Sequence, residues 1–367
     1  MRKVISRLAL GMAITATTLT ACKKDKDAVP APPPPPQGEY AVKVKAAITV
    51  GDVVYDSIPA TFTITSWDRS GVMYQRDVQL AAGTQTVYLP KAHTKYRIQL
   101  AKWGITDVRT LLPNELNEAA TYVLGGSKAA KKIREEVHYT YENESFRPQI
   151  KRAFVYDNDG KLAEVQNYGN MDGYATDNME LYSIDRFGYT GNKLEDITTF
   201  DQQDGGAITG FNRFAWTTEG KLNHIQFANQ NEQSSCRIFY PDAQGNNERV
   251  YTEFYLNDLS LSSNVELKFK GGNRVEEKTT IPNYPAATRT YTYDAGINPY
   301  VFLKWPTMNF TYDSKNNVVE EKYSNVSIRI EKEYTYDADG FVKEVLKKEI
   351  NTANNGVRGI SKTVYSY

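Results

Sequence analysis

The chain has 367 residues, with 44 basic and 44 acidic side chains, so its formal charge is zero and it carries no electrostatic footprint for nucleic acid. Two cysteines and three scattered histidines (His93, His138, His224) form no transition-metal pattern, and no nucleotide loop or nucleophile elbow is present. No cofactor is expected, and the compositional excess is aromatic: 26 tyrosines and 4 tryptophans.

Met1-Arg2-Lys3 and Arg7 form a basic n-region, Leu8 to Thr18 is a short apolar stretch, and Leu19-Thr20-Ala21-Cys22 closes it. A stretch of this length is a processing segment, residues 1–21, and not a membrane span. Leu-Thr-Ala-Cys resembles a bacterial lipobox, which implies lipidation of Cys22 and an outer-membrane anchor. Lys23-Lys24-Asp25-Lys26-Asp27 resembles, with lysines interposed, the export signal of Bacteroidetes-type surface lipoproteins. That resemblance implies display on the cell surface, with a periplasm-facing anchor as the alternative. Residues 22–38 then continue into a proline run, expected as an extended polyproline II stalk. With Cys22 acylated, Cys236 has no partner for an intramolecular disulfide.

Residues 39–124 alternate apolar and polar side chains in several short runs, such as Tyr40 to Ala46, Ala60 to Thr65, Gln85 to Leu89 and Tyr96 to Leu100. Runs of this spacing predict a small β-sandwich. Its rhythm resembles immunoglobulin-like or transthyretin-like accessory domains. Asp56-Ser57-Ile58 resembles an acceptor for bacterial O-glycosylation. Asn114 to Ala120 and Lys128 to Glu136 have helical texture, so a linker at 125–137 with one or two short helices is expected.

From 138 to 367 one phrase recurs. It reads Tyr156-Asp157-Asn158-Asp159-Gly160-Lys161-Leu162, then Trp216-Thr217-Thr218-Glu219-Gly220-Lys221-Leu222, and Tyr336-Asp337-Ala338-Asp339-Gly340-Phe341-Val342. A further copy runs Tyr312-Asp313-Ser314-Lys315-Asn316-Asn317-Val318, and looser ones begin at Tyr189, Tyr240, Phe269 and Tyr293. The copies start 19 to 33 residues apart, which implies an array of one supersecondary unit. Asp and Gly between alternating runs are turn chemistry, so each copy predicts a β-hairpin. About eight hairpins fit, as an antiparallel meander that is curled or partly closed. The phrase resembles the YD repeats of Rhs-type shells and of Bacteroidetes-type surface lipoproteins described as porin-like. That resemblance implies an all-β scaffold and carries no catalytic residue with it.

Asp157-Asn158-Asp159-Gly160 and Asp337-Ala338-Asp339-Gly340 mimic the start of a calcium loop but lack its later ligands, so plain turns are expected. Glu276-Glu277 and Glu320-Glu321 sit on strands where adjacent side chains face opposite ways; solvated charges are expected there, and no catalytic residue is assigned. Tyrosines two apart, as in Tyr334 and Tyr336, share one face and predict cross-strand packing. Trp216 and Trp305 are the candidate ligand-contact aromatics, because an exposed aromatic track suits sugar rings. The resulting expectation is a non-enzymatic, lipid-anchored envelope protein that binds or scaffolds, with a glycan or an envelope protein as partner. The alternatives are an enzyme acting on surface polysaccharide or peptide, and a structural subunit of an outer-membrane complex.

Overall fold

The computed structural model describes residues 38–56, 58–169, 179–229, 235–240, 249–255, 260–305 and 314–367. The signal segment, Cys22, the proline run, Ser57, the turn of the Tyr240 copy and the Tyr312-Asp313 pair therefore lie outside the described residues. Among the described residues the protein is all β, with two short 3-10 turns and no α-helix.

Eight strands make the first unit: β1 (Glu39–Val50), β2 (Val53–Tyr55), β3 (Ala60–Trp67), β4 (Met73–Leu80), β5 (Gln85–Pro90), β6 (Lys95–Lys102), β7 (Ile105–Leu111) and β8 (Thr121–Lys128). They form two four-stranded sheets, one centred on β1 and one ordered β4-β3-β6-β7. Period-two alternation in β1 sends Val42, Val44, Ala46, Ile48 and Val50 inward. These meet Phe62 and Ile64 of β3 and Ile98 and Leu100 of β6 in one apolar cluster. The helices expected between 114 and 136 do not form; Pro113–Glu115 is a single 3-10 turn and β8 is a strand running past residue 124. Helices this short are marginal alone, whereas β8 gains a full parallel ladder with β1 and buries Leu124. Gly125 makes that pairing feasible, since a Cβ there would overlap the Ala47 carbonyl.

Sixteen strands make the second unit. They are β9 (Glu135–Glu142), β10 (Ser145–Tyr156), β11 (Leu162–Gly169), β12 (Glu180–Thr190), β13 (Lys193–Asp201), β14 (Ala207–Trp216), β15 (Leu222–Asn229) and β16 (Ser235–Tyr240). The series continues through β17 (Arg249–Tyr255), β18 (Leu261–Lys270), β19 (Asn273–Thr280), β20 (Ala287–Tyr293), β21 (Val318–Tyr323), β22 (Ile328–Tyr336), β23 (Val342–Asn351) and β24 (Val357–Ser366). Each strand pairs antiparallel with its neighbour, and β24 pairs with β9 from Ser361↔Thr140 to Ser366↔Glu135. The sheet is thus a closed barrel and not the partly closed meander expected from sequence. The seam removes both free edges, which an open sheet would leave to pair with other chains.

Every copy of the Tyr-Asp phrase whose turn is described lies at one rim of this barrel. In the short turns the Asp builds the reversal: Asp157 Oδ1 accepts from Lys161 N at 2.7 Å, and Asp337 Oδ1 accepts from Phe341 N at 2.9 Å. In the six copies described on both sides, the ladder register slips at the aromatic residue: Tyr156, Tyr189, Trp216, Phe269, Tyr293 and Tyr336. Such a bulge inserts one extra residue in the second strand. Two side chains three apart, such as Leu162 and Val165 or Leu194 and Ile197, can then both point inward. The bulge also disturbs the ladder, and the next hairpin supplies a donor. Tyr156 donates to Ile133 O at 2.8 Å, Trp216 Nε1 to Leu194 O at 2.7 Å and Tyr367 to Val342 O at 2.9 Å. Tyr293 donates to Arg274 O in the same way. These four aromatics each fasten their hairpin to the preceding one. The phenylalanine variant Tyr156→Phe should lower stability by about 1–3 kcal/mol, because it leaves a buried carbonyl unpaired. Tyr141→Phe, at an exposed ring, should leave the urea midpoint unchanged.

Candidate functional site: the barrel lumen

One turn of the barrel has been opened. Asp294 and Asn317 make the same closing contact as Asp157 and Lys161, but 23 positions apart instead of 4. The intervening chain carries the 3-10 turn Pro299–Leu303, started by Asn298, whose side chain accepts from Tyr300 N. Tyr300 and Leu303 enter the barrel and join Phe154, Val165, Phe187, Ile197, Phe214 and Ile225 in a second apolar cluster. Ile297, from the same insertion, and Phe341 are buried in the core of the first unit. Lys128 donates to Trp103 O at 2.8 Å and to Asp339 O, and Tyr55 donates to Lys315 O at 2.9 Å. The insertion plugs this rim, and the first unit packs over it.

The register tells inside from outside, since directly opposed residues share a face. The plug-facing side carries two inward positions per hairpin. The inner of these is Val165, Ile197, Ile225 and Val345 in four hairpins, but Glu277 in β19 and Glu321 in β21. Ile133, just before β9, and Glu136, within it, repeat the pattern with a third carboxylate. At β19 the outer position has changed as well, from Leu or Val to Arg274, which is 1% exposed. The repeat breaks its own apolar rule on one side of the lumen, and departures of this kind mark function or strain.

Each of these carboxylates has a cation and a tyrosine. Arg274 Nη1 lies 3.1 Å from Glu277, which also accepts from Tyr291 at 3.4 Å. Lys332 Nζ lies 2.7 Å from Glu321, which accepts from Tyr323 at 3.2 Å. Arg152 Nη1 lies 2.7 Å from Glu136, which accepts from Tyr300 of the plug. Burial works to raise the Glu321 carboxyl, but the charges of Lys332 and Arg289 outweigh it and hold the group below its ordinary value. A pocket beneath the plug is lined by Asn298, Tyr300, Glu321, Lys332, Tyr334 and Tyr365. Further from the plug, Lys347 contacts Glu349 at 3.0 Å and Arg237 contacts Glu253 at 3.1 Å. His138 is held below its ordinary pKa by burial first, then by the nearby charges of Lys347 and Arg152.

The outer wall is different. Glu135–Lys151, Glu164–Arg186, Glu266–Lys278, Lys268–Glu276, Glu333–Lys348 and Glu344–Lys362 pair across neighbouring strands on the solvent side. Glu276 and Glu320 are solvated as the sequence suggests, whereas their neighbours Glu277 and Glu321 turn into the lumen and Glu321 is 7% exposed. Alternation splits each adjacent pair between the two faces, and closure of the barrel buries one member.

The residues singled out in the sequence fall elsewhere. Trp216 is partly buried and spends its N–H on Leu194 O; Trp305 packs edge-on against Phe187, with centroids 5.0 Å apart. Both belong to the lumen's apolar cluster and not to one exposed track. At the Asp337 turn the Lys131 ammonium sits 2.6 Å from both Asp337 and Asp339, where a bound cation would lie. Cys236 is on the outer wall, and burial raises its thiol. Among the described residues no cluster of ligands suits a metal ion. The polar lumen positions escaped the sequence reading, although Arg and Glu in the two slots that are otherwise Leu and Val were a visible signal.

No protein-family model matches the chain, and comparison with curated proteins finds no match. Among solved structures, a porin-like protein from Bacteroides uniformis is similar over 65% of this chain and 98% of its own, at 11% identity and a TM-score of 0.46. The Tc holotoxin pore of Photorhabdus luminescens matches 78% of this chain at 13% identity and a TM-score of 0.20. A TcdB2–TccC3–Cdc42 complex matches 80% at 12% identity and the same score of 0.20. This chain spans only 16% and 18% of those two larger chains. With TM-scores of 0.46 and 0.20, these likenesses add nothing to what the strand pairing shows.

Two outcomes check the site. Arg274→Ala strands Glu277 in a buried wall and should cost about 3–5 kcal/mol, while the paired change Arg274→Leu with Glu277→Val, which restores the apolar slots, should be neutral or stabilising. Urea midpoints of the two variants decide this. For His138 the folded pKa lies below the unfolded one, so stability is full above the ordinary value near 6.5 and falls as pH drops through it. His138→Gln should flatten that acid-side loss between pH 8 and pH 5 in urea melts, by the full share that His138 contributes.

Proposed function

We propose that the protein is a lipid-anchored component of the cell envelope with a non-enzymatic binding or scaffolding role, and that its barrel stands in water beside the membrane. The observation that carries this reading is the outer wall. A bilayer-spanning barrel needs an outward apolar band roughly 25 Å tall, and each Lys or Arg facing mid-bilayer lipid costs about 2–4 kcal/mol. The cross-strand pairs described above put six cations around the wall, and each one at mid-height would carry that penalty. In water the same pairs cost little. Membrane attachment then falls to the lipobox at Cys22, with the proline run as stalk and the two-sheet unit as an accessory β-sandwich of immunoglobulin-like or transthyretin-like character. Surface display follows from the charged stretch after Cys22.

A binding role is favoured over an enzyme by the state of the buried carboxylates. Glu277 and Glu321 lie two strands apart, about 10 Å, on either side of β20. A general acid in such a pair needs a raised pKa, yet Glu321 is held low by Lys332 and Arg289. These are fixed ion pairs suited to holding a shape and presenting hydrogen-bonding groups.

The anchor test uses detergent phase partition. The wild-type lipoprotein should enter the detergent phase, whereas Cys22→Ala exported with an ordinary cleavable signal should stay in water. A Cys22→Ala protein that remains in alkaline-washed membranes would show the barrel itself inserted and end this reading.

A further inference from the structure

We propose that the polar side of the lumen is a binding site for a neutral oligosaccharide, entered from the end opposite the plug; this rests on the binding role proposed above and names its site and ligand class. A sixteen-stranded barrel is too wide for side chains from its walls to fill, and barrels of this size hold water. The lumen side chains agree. Glu349 and Arg152 face inward by register, yet their side chains are 41% and 40% exposed. The plug and the first unit close one rim. The other rim has no such insertion among the described residues; its loops at 202–206, 281–286, 324–327 and 352–356 are short and largely exposed.

The chemistry of the wall selects the ligand. Lumen cations are matched by carboxylates at hydrogen-bonding distance: Lys332 with Glu321, Lys347 with Glu349, and Arg237 with Glu253. Donors and acceptors therefore alternate along this part of the wall, and each of these cations is offset by its own carboxylate. Lys332 and Lys347 are directly opposed across β22 and β23, a like-charge juxtaposition tolerated only because each ammonium is turned to its own carboxylate. Ring faces complete the surface: Arg289 stacks on Tyr323 at 4.4 Å and Arg237 on Phe227 at 4.7 Å, which fixes both rings. Oriented polar groups of both senses beside fixed rings suit a ligand with many hydroxyls and no charge. The aromatic contact anticipated for Trp216 and Trp305 passes to the lumen.

Calorimetric titration of the purified full chain tests this with cellohexaose, maltohexaose, mannohexaose and chitohexaose, and hexagalacturonate as the acidic comparator. At least one neutral hexasaccharide should bind. The lumen double variant Lys347→Met with Glu349→Leu should weaken it tenfold or more. The outer-wall double variant Glu333→Gln with Lys348→Gln, on the same hairpin, should bind as wild type. Equal melting temperatures of the two variants confirm that neither change unfolds the barrel. Failure of all four neutral sugars, tighter binding of hexagalacturonate, or equal loss in both variants would overturn the proposal. Phase partition of the Cys22 variant is read separately, so the anchor can stand if the sugar site falls.

Discussion

The bulge beside six of the motif aromatics is the constraint on which the rest of the structure depends. A regular antiparallel pair would alternate strictly, and Leu162 and Val165 could not both face the same way. One extra residue per hairpin solves this and leaves the ladder short of a partner at the same point. The aromatic of the following hairpin fills that gap, through a hydroxyl in Tyr156, Tyr293 and Tyr367 and through an indole N–H in Trp216. Fastening each hairpin to the last in one direction turns a meander into a ring. At the seam, where chain continuity supplies no turn, Arg134 N bonds Ser366 O at 2.8 Å.

Closure gives the two faces opposite tasks. The outer wall carries cross-strand ion pairs, each of which contributes little to stability where it is solvated. The inner wall is divided. On β10 to β15 the repeat keeps its apolar slots, and these collapse onto Tyr300 and Leu303 of the plug. On β19 to β22 and β9 it substitutes carboxylates, each satisfied by a cation and a tyrosine. A buried pair of this kind gives no stability over an apolar one. Its presence in a slot that would accept valine is therefore better explained by what the lumen holds. Asp294 belongs to the same economy of burial: desolvation raises its carboxyl, and Tyr336, Gly296 and Asn317 donate to it, which fixes the base of the plug.

Much of the scaffold was legible in the sequence, because period-two alternation and Asp-Gly turns act over a few residues. The eight phrases read as eight hairpins and seven formed, with the turns at Asp157 and Asp337 built as their chemistry requires. Closure was not legible, since no local pattern in β24 or β9 announces that they will pair. The helices anticipated around Asn114 and Lys128 failed for a related reason: the competing partner of β8 lies in β1, far away in sequence. The phrase spanning Tyr293 to Val318 read as two copies, whereas the contact between Asp294 and Asn317 makes it one turn with a plug inside. Trp216 read as part of an exposed aromatic track because its burial, and the bond from its indole N–H to Leu194 O, depend on a neighbouring hairpin.

Closure of the ring is the claim on which the division into lumen and outer wall stands. Amide hydrogen exchange tests it most directly at the seam. In a closed barrel the amides of Thr363 to Tyr365 and of Val137 to Tyr139 should be protected as strongly as those of the mid-sheet strands β12 and β13. Rapid exchange confined to β9 and β24, with β12 and β13 still protected, would reveal two free edges and contradict the account.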